Sequence, residues 1–147
     1  MKKDETKETY EQMTLRILGY FQMLEFVLKA YIGHAYELIK HCVGDKIHFD
    51  YDVKDVKNNS LGRLLVVFAK LHPDEALLTR LKQLCERRNE IAHTSLIVVI
   101  GEPYDVEDVA TRTLEFVLLA DEVWTCLNIV MSEHRKLKKQ LAELTAI

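Results

Sequence analysis

The run Arg87-Arg88-Asn89-Glu90-Ile91-Ala92-His93 holds the residue types best suited to phosphate chemistry in this chain. Histidine has the ordinary pKa nearest neutrality, so His93 can take or give a proton at physiological pH. Arg88 keeps its charge, and its planar fork can grip two phosphate oxygens. A base and a fixed cation are what a metal-free attack by a ribose 2′-hydroxyl on the adjacent phosphate requires: the hydroxyl proton must leave, and charge builds on the phosphate. Positioned proton transfer contributes ~10²–10⁴ in rate. A preorganised charge adds ~10²–10³, by analogy with an oxyanion-hole donor. The expected product is a 2′,3′-cyclic phosphate, and DNA, lacking the nucleophile, would be spared.

Spacing restricts how these groups can meet. On an ideal helix, at about 100° per residue, Arg88 and His93 differ by roughly 140° in direction. Asn89 and His93, four apart, share a face. One helix therefore does not stack Arg88 on His93 unless its last turn unwinds, and a facing second copy would supply the missing neighbour. The bland alternative is that Arg and His near a helix C-terminus complement the macrodipole and bind the last free carbonyls.

Around the motif the pattern is helical. Tyr10, Met13, Ile17, Tyr20, Leu24, Val27, Tyr31, Ala35, Leu38 and Cys42 recur every three or four residues, predicting an amphipathic helix from about Asp4 to Val43. Gly19 and Gly33 fall inside it, as marks of a bend or a close contact, and Gly44 suits its C-terminal cap. Residues 45–59 lack helical period and form an ordered connection. Ser60 offers an N-cap for a helix over Leu61 to Leu71. Pro73, Asp74 and Glu75 suit the first turn of a third helix, which carries the motif. Leu96 to Ile100 is β-branched and reads as a short extended piece or a buried turn. Asp105 with Asp108 resembles a capping box opening a last helix, with Val109, Phe116, Ala120, Val123, Leu127, Val130, His134, Leu137, Leu141 and Leu144 on its stripe. The expected fold is all-α: an up-and-down bundle of four main helices with one irregular connection, in one domain over residues 1–147.

With this frame in place, Arg88, Asn89, Ala92 and His93 match the RNxxAH variant of the Rx4–6H signature, and the chain resembles the HEPN domain family. Phe21-Gln22-Met23-Leu24-Glu25 and Ser60-Leu61-Gly62-Arg63-Leu64-Leu65 look like segments seen in such proteins. The resemblance implies a helical bundle that forms a homodimer, with two motif copies facing each other across the two-fold axis. It also implies a metal-independent endoribonuclease or an RNA-binding protein, often a toxin with an antitoxin partner or a phage-defence effector. By position, Arg88 and His93 would be the catalytic pair and Asn89 the polar orienting residue, with no cofactor and no metal. Arg87 also fits the broader spacing; Arg88 ranks first because Asn89 follows it. Some family toxins carry a tyrosine two residues after the histidine, which a partner enzyme modifies. Thr94 and Ser95 stand here instead. The competing class is a non-catalytic protein-interaction or nucleotide-binding module.

Composition narrows the rest. The 147 residues are 48% hydrophobic and 29% charged with only 5 Gly and 2 Pro, which favours long regular elements over a sandwich or barrel. A net charge of -3 leaves no global basic field, so nucleic acid would have to bind a local patch. Cys42, Cys85 and Cys126, sparse and odd in number, fit reduced thiols in a cytoplasmic protein, and the longest apolar runs fall far short of a membrane span. His34, His41, Cys42 and His48 are more simply core or surface residues than a metal cluster. The basic stretch Glu133 to Lys139 reads as a solvated face, and Phe116, Trp124 and Met131 as core or dimer contacts rather than base-stacking platforms.

Overall fold

The computed structural model describes residues 3–95 and 104–146. Four helices account for most of them: α1 (Lys3–Val43), α2 (Leu61–Leu71), α3 (Glu75–Thr94) and α4 (Val106–Thr145). A 3-10 turn, Val53–Asp55, interrupts the connection between α1 and α2. The fold is an all-α bundle, and Leu96 to Ile100 lies outside the described residues.

Local chemistry sets the helix ends. Gly44 takes φ 54, a left-handed conformation that costs glycine little, and its N–H closes on the Lys40 carbonyl at 3.1 Å. Asp74 is the N-cap of α3, accepting from the Leu77 N–H at 3.0 Å, so Pro73 stands just ahead of the cap rather than inside the first turn. Asp105 accepts from the N–H groups of Glu107 and Asp108, but the Asp108 carboxylate binds Arg112 Nε at 3.0 Å instead of completing a capping box. The reciprocal arrangement forms between Asp52 and Asp55, where it folds the 3-10 turn. Ser60 opens α2 without a side-chain cap bond.

The buried face of α1 follows a four-three rhythm: Tyr10, Thr14, Ile17, Phe21, Leu24, Leu28, Tyr31 and Ala35. On α4, Phe116, Ala120, Val123, Leu127, Val130 and Leu137 keep the same spacing. A repeat averaging 3.5 residues keeps one seam facing another over many turns. Tyr10 stacks on Phe116 with ring centres 5.5 Å apart, Tyr20 meets Trp124 at 5.4 Å, and His34 meets His134 at 4.8 Å. Both numbers rise together, so α1 and α4 run parallel.

This face differs from the simplest sequence stripe. Met13, Tyr20, Val27 and Leu38 only flank the core, and Cys42 is exposed. Thr14, Phe21 and Leu28 take central places instead, because α2 and α3 also pack on α1 and widen the buried arc. Tyr10 touches Ser95 and Glu25 faces Arg88, so α3 is antiparallel to α1. The bidentate pair Arg80–Glu122 ties α3 to α4. Gly62 lies against Cys85 while His72 turns the chain into α3, which makes α2 and α3 a hairpin. Direction therefore alternates from α2 through α4, whereas α1 and α2 run the same way because residues 44–60 carry the chain back.

Gly33 permits that return. A Cβ placed there would sit 3.0 Å from the Cβ of Val53, in the 3-10 turn, whereas one at Gly19 would meet nothing within 4 Å. The two glycines should therefore respond oppositely to the same change. Gly19→Ala should stabilise by about 1 kcal/mol through helix propensity, raising Tm by about 2–4 °C. Gly33→Ala should lose that gain to the clash, and thermal unfolding of the two variants decides it.

Candidate functional site

The C-terminal turn of α3, where the motif ends, is fastened from two sides. The Ser95 N–H donates to the Ile91 carbonyl at 3.1 Å, and the Ser95 hydroxyl donates to the same oxygen. The buried Tyr10 hydroxyl then donates to the Ser95 carbonyl at 2.6 Å. Burial pushes the Tyr10 pKa up, so the group stays a donor. An 85-residue separation is thus bridged by a single bond that fixes α3 against α1.

His93 is exposed on this anchored turn. It lines a groove of about 250 Å³, with Glu11, Thr14, Leu15 and Leu18 of α1 on one wall and Ile91, Ala92 and Ser95 of α3 on the other. Asn89 is exposed one turn earlier, on the face His93 shares. Arg88 is half-buried and turns toward α1, its Nη2 lying 3.9 Å from Glu25 Oε1. That distance exceeds hydrogen-bond range. Arg87 turns toward α4, donates to Glu90 at 2.8 Å, and lines a separate small cleft with Arg112 and Phe116.

Because α3 stays helical to Thr94, its last turn does not unwind and the angular offset between Arg88 and His93 stands. One chain brings Asn89 and His93 together and leaves Arg88 outside the His93 groove. Among the described residues, neither the Arg88 guanidinium nor the His93 ring makes a hydrogen bond. Among the described residues, no backbone carbonyl caps His93, as a purely structural role would have it. Two neighbours had no strong sequence signal. Tyr10 read only as one apolar position on α1, and Glu25 only as the last residue of the Phe21–Glu25 segment.

The remaining histidines sort differently from a cluster along α1. His41 and His48 are exposed, while His34 meets His134 across the α1–α4 seam. His34 Nδ1 lies 2.8 Å from the Ala30 carbonyl and 3.0 Å from His134 Nε2. A carbonyl only accepts, so the proton sits on His34 Nδ1 and His134 Nε2 offers its lone pair. Burial pushes the His134 pKa down, with His34 and Lys138 adding to the effect. Nearby, His72 stacks on Phe68 and lies 3.3 Å from Glu133, a hydrogen bond that holds the Glu133 carboxyl below its usual range. Among the described residues no group of three or more His, Cys, Asp or Glu side chains is arranged to hold a metal ion. The three thiols are unpaired, and burial pushes Cys126 up to about 11, which leaves it an inert core group. Phe116 is buried as expected, but Trp124 remains 46% exposed beside Tyr20. No helix among the described residues is long and apolar enough to cross a membrane.

Comparisons with protein-family models, curated proteins and solved structures find no match, so the family resemblance rests on the motif residues and their setting.

Two outcomes test this arrangement. Tyr10→Phe leaves the Ser95 carbonyl without its side-chain donor and should cost about 1–3 kcal/mol in urea unfolding. His134 in the unfolded chain titrates near its ordinary 6.5, whereas the folded seam resists its charge. The unfolded state then binds more protons, so stability present above that pH is lost as pH falls below it. Urea midpoints at pH 7.5 and 5.5 should drop more for the natural chain than for His134→Gln.

Proposed function

We propose that the chain is a metal-independent endoribonuclease acting as a homodimer, with Arg88 and His93 as its catalytic pair and Asn89 orienting the histidine face. The observation that carries the reading is the pairing of an exposed His93 on the groove wall with Arg88 five residues earlier on the same helix, neither of them hydrogen-bonded among the described residues. Both groups have free capacity for a ligand, and their directions diverge within one copy. A second copy related by a two-fold axis at α3 offers the geometry in which an arginine from one chain meets a histidine from the other. Leu15, on the groove wall beside His93, is 71% exposed, and Phe26 further along α1 is 72% exposed. A second copy seated there would cover both and would exclude water from the reacting groups.

In this reading His93 removes the 2′-hydroxyl proton, and Arg88 holds two oxygens of the attacked phosphate as charge builds on them. The 2′-oxygen forms its bond to phosphorus as the bond to the 5′-oxygen breaks, the leaving oxygen takes a proton from water, whose hydroxide neutralises the protonated His93, and a 2′,3′-cyclic phosphate remains. A place in the cytoplasm, and the role of a toxin held by an antitoxin or of a phage-defence effector, extend the same reading. Either role would make cleavage harmful to the cell that expresses the chain.

The test is RNA cleavage in EDTA. The natural chain should cut single-stranded RNA and spare DNA. Arg88→Ala and His93→Ala should each lose about 10²-fold or more while keeping the helical circular dichroism signal. Mixing the two inactive variants should restore part of the activity through heterodimers that retain one complete Arg–His pair. Equal cleavage by His93→Ala and the natural chain would remove His93 from the mechanism.

A further inference from the structure

Three arginines on α3 face carboxylates, and they are not held alike. Arg80 grips Glu122 with two hydrogen bonds of 2.9 and 3.2 Å, and Arg87 meets Glu90 with one of 2.8 Å. Arg88 comes only within 3.9 Å of Glu25. A guanidinium has five donors in a fixed fork, and a carboxylate that aimed it would take two in parallel, as Glu122 does. Glu25 therefore gives Arg88 charge without orientation.

That charge still matters, because the pair sits in the α1–α3 seam with the Glu25 side chain only 20% exposed and Arg88 36%. Screening by water and salt is weaker there than on an open surface. A lone cation in such a place is costly, and Glu25 offsets it. A phosphodiester brings the same single negative charge, with two oxygens that match the fork. It cannot settle at Arg88 while the carboxylate remains close, because like charges at such short range repel.

Resting on the reading of Arg88 as a phosphate-binding residue, we infer that Glu25 is the resting counter-ion of the RNA site: it holds the place of the substrate phosphate and is exchanged for it on binding. Glu25 touches no reacting atom. It acts through Arg88, tempering affinity for RNA while keeping the empty cation neutralised.

A binding cycle tests this, using a single-stranded RNA with 2′-O-methyl groups that cannot be cut. Glu25→Gln should bind it about tenfold more tightly than the natural chain. Arg88→Ala should bind more weakly, and adding Glu25→Gln to Arg88→Ala should then change affinity less than twofold. Glu25→Asp, which keeps the charge but draws it back, should fall between the natural chain and Glu25→Gln and covers the case of a poorly folded glutamine variant. A gain of equal size in the Arg88→Ala background would reduce Glu25 to a general surface charge and overturn the inference. So would Arg88→Ala binding more weakly while neither Glu25 variant binds more tightly. If Arg88→Ala binds as tightly as the natural chain, the RNA reading of Arg88 fails and takes the counter-ion role with it.

Discussion

The long parallel seam between α1 and α4 is the constraint on which the rest of the structure depends. Each helix supplies an apolar side chain every three or four residues, and the two sets stay in register from Tyr10 and Phe116 to His34 and His134. At 1.5 Å per residue such helices extend about 60 Å, far longer than α2 or α3. Neither would be stable in isolation over that length without burying its stripe. The seam forms the platform, and the α2–α3 hairpin is laid against it.

Parallel direction has a topological cost that the connection absorbs. For α4 to run beside α1 in the same sense, the intervening chain must cross the bundle an odd number of times. Residues 44–60 make the first crossing, α2 the second and α3 the third. Close approach of the 3-10 turn to α1 is possible because Gly33 presents no Cβ to Val53. A small residue at one position thus sets how closely the returning chain lies on α1.

Polar fastening then converts this packing into a defined site. The Tyr10 bond to the Ser95 carbonyl ends α3 against α1, which leaves His93 exposed over a groove whose floor is apolar. Arg88, nearly a turn and a half earlier, is directed into the seam beside Glu25. The same rigidity that makes His93 well placed keeps Arg88 away from it within one chain. Incompleteness of the single-chain site follows from a helix that remains regular to its end.

Much of this was legible in the residues alone. The four helices, the Gly44 cap and the Asp105 cap follow from periodicity and terminal chemistry, which act over a few residues, whereas Asp74 reads as a first-turn residue and proves to be the cap. The divergence of Arg88 and His93 also follows, since it depends only on the pitch of a helix. Long-range choices were not legible. Periodicity placed Met13 and Tyr20 on the stripe but could not show that the α2–α3 hairpin would draw Thr14, Phe21 and Leu28 to its centre. Nor could it show that His34 would meet His134 rather than His41, or that Glu25 and Tyr10 would be the side chains reaching the motif helix. Those pairings join residues dozens of positions apart, and only the packing of whole helices decides which faces meet.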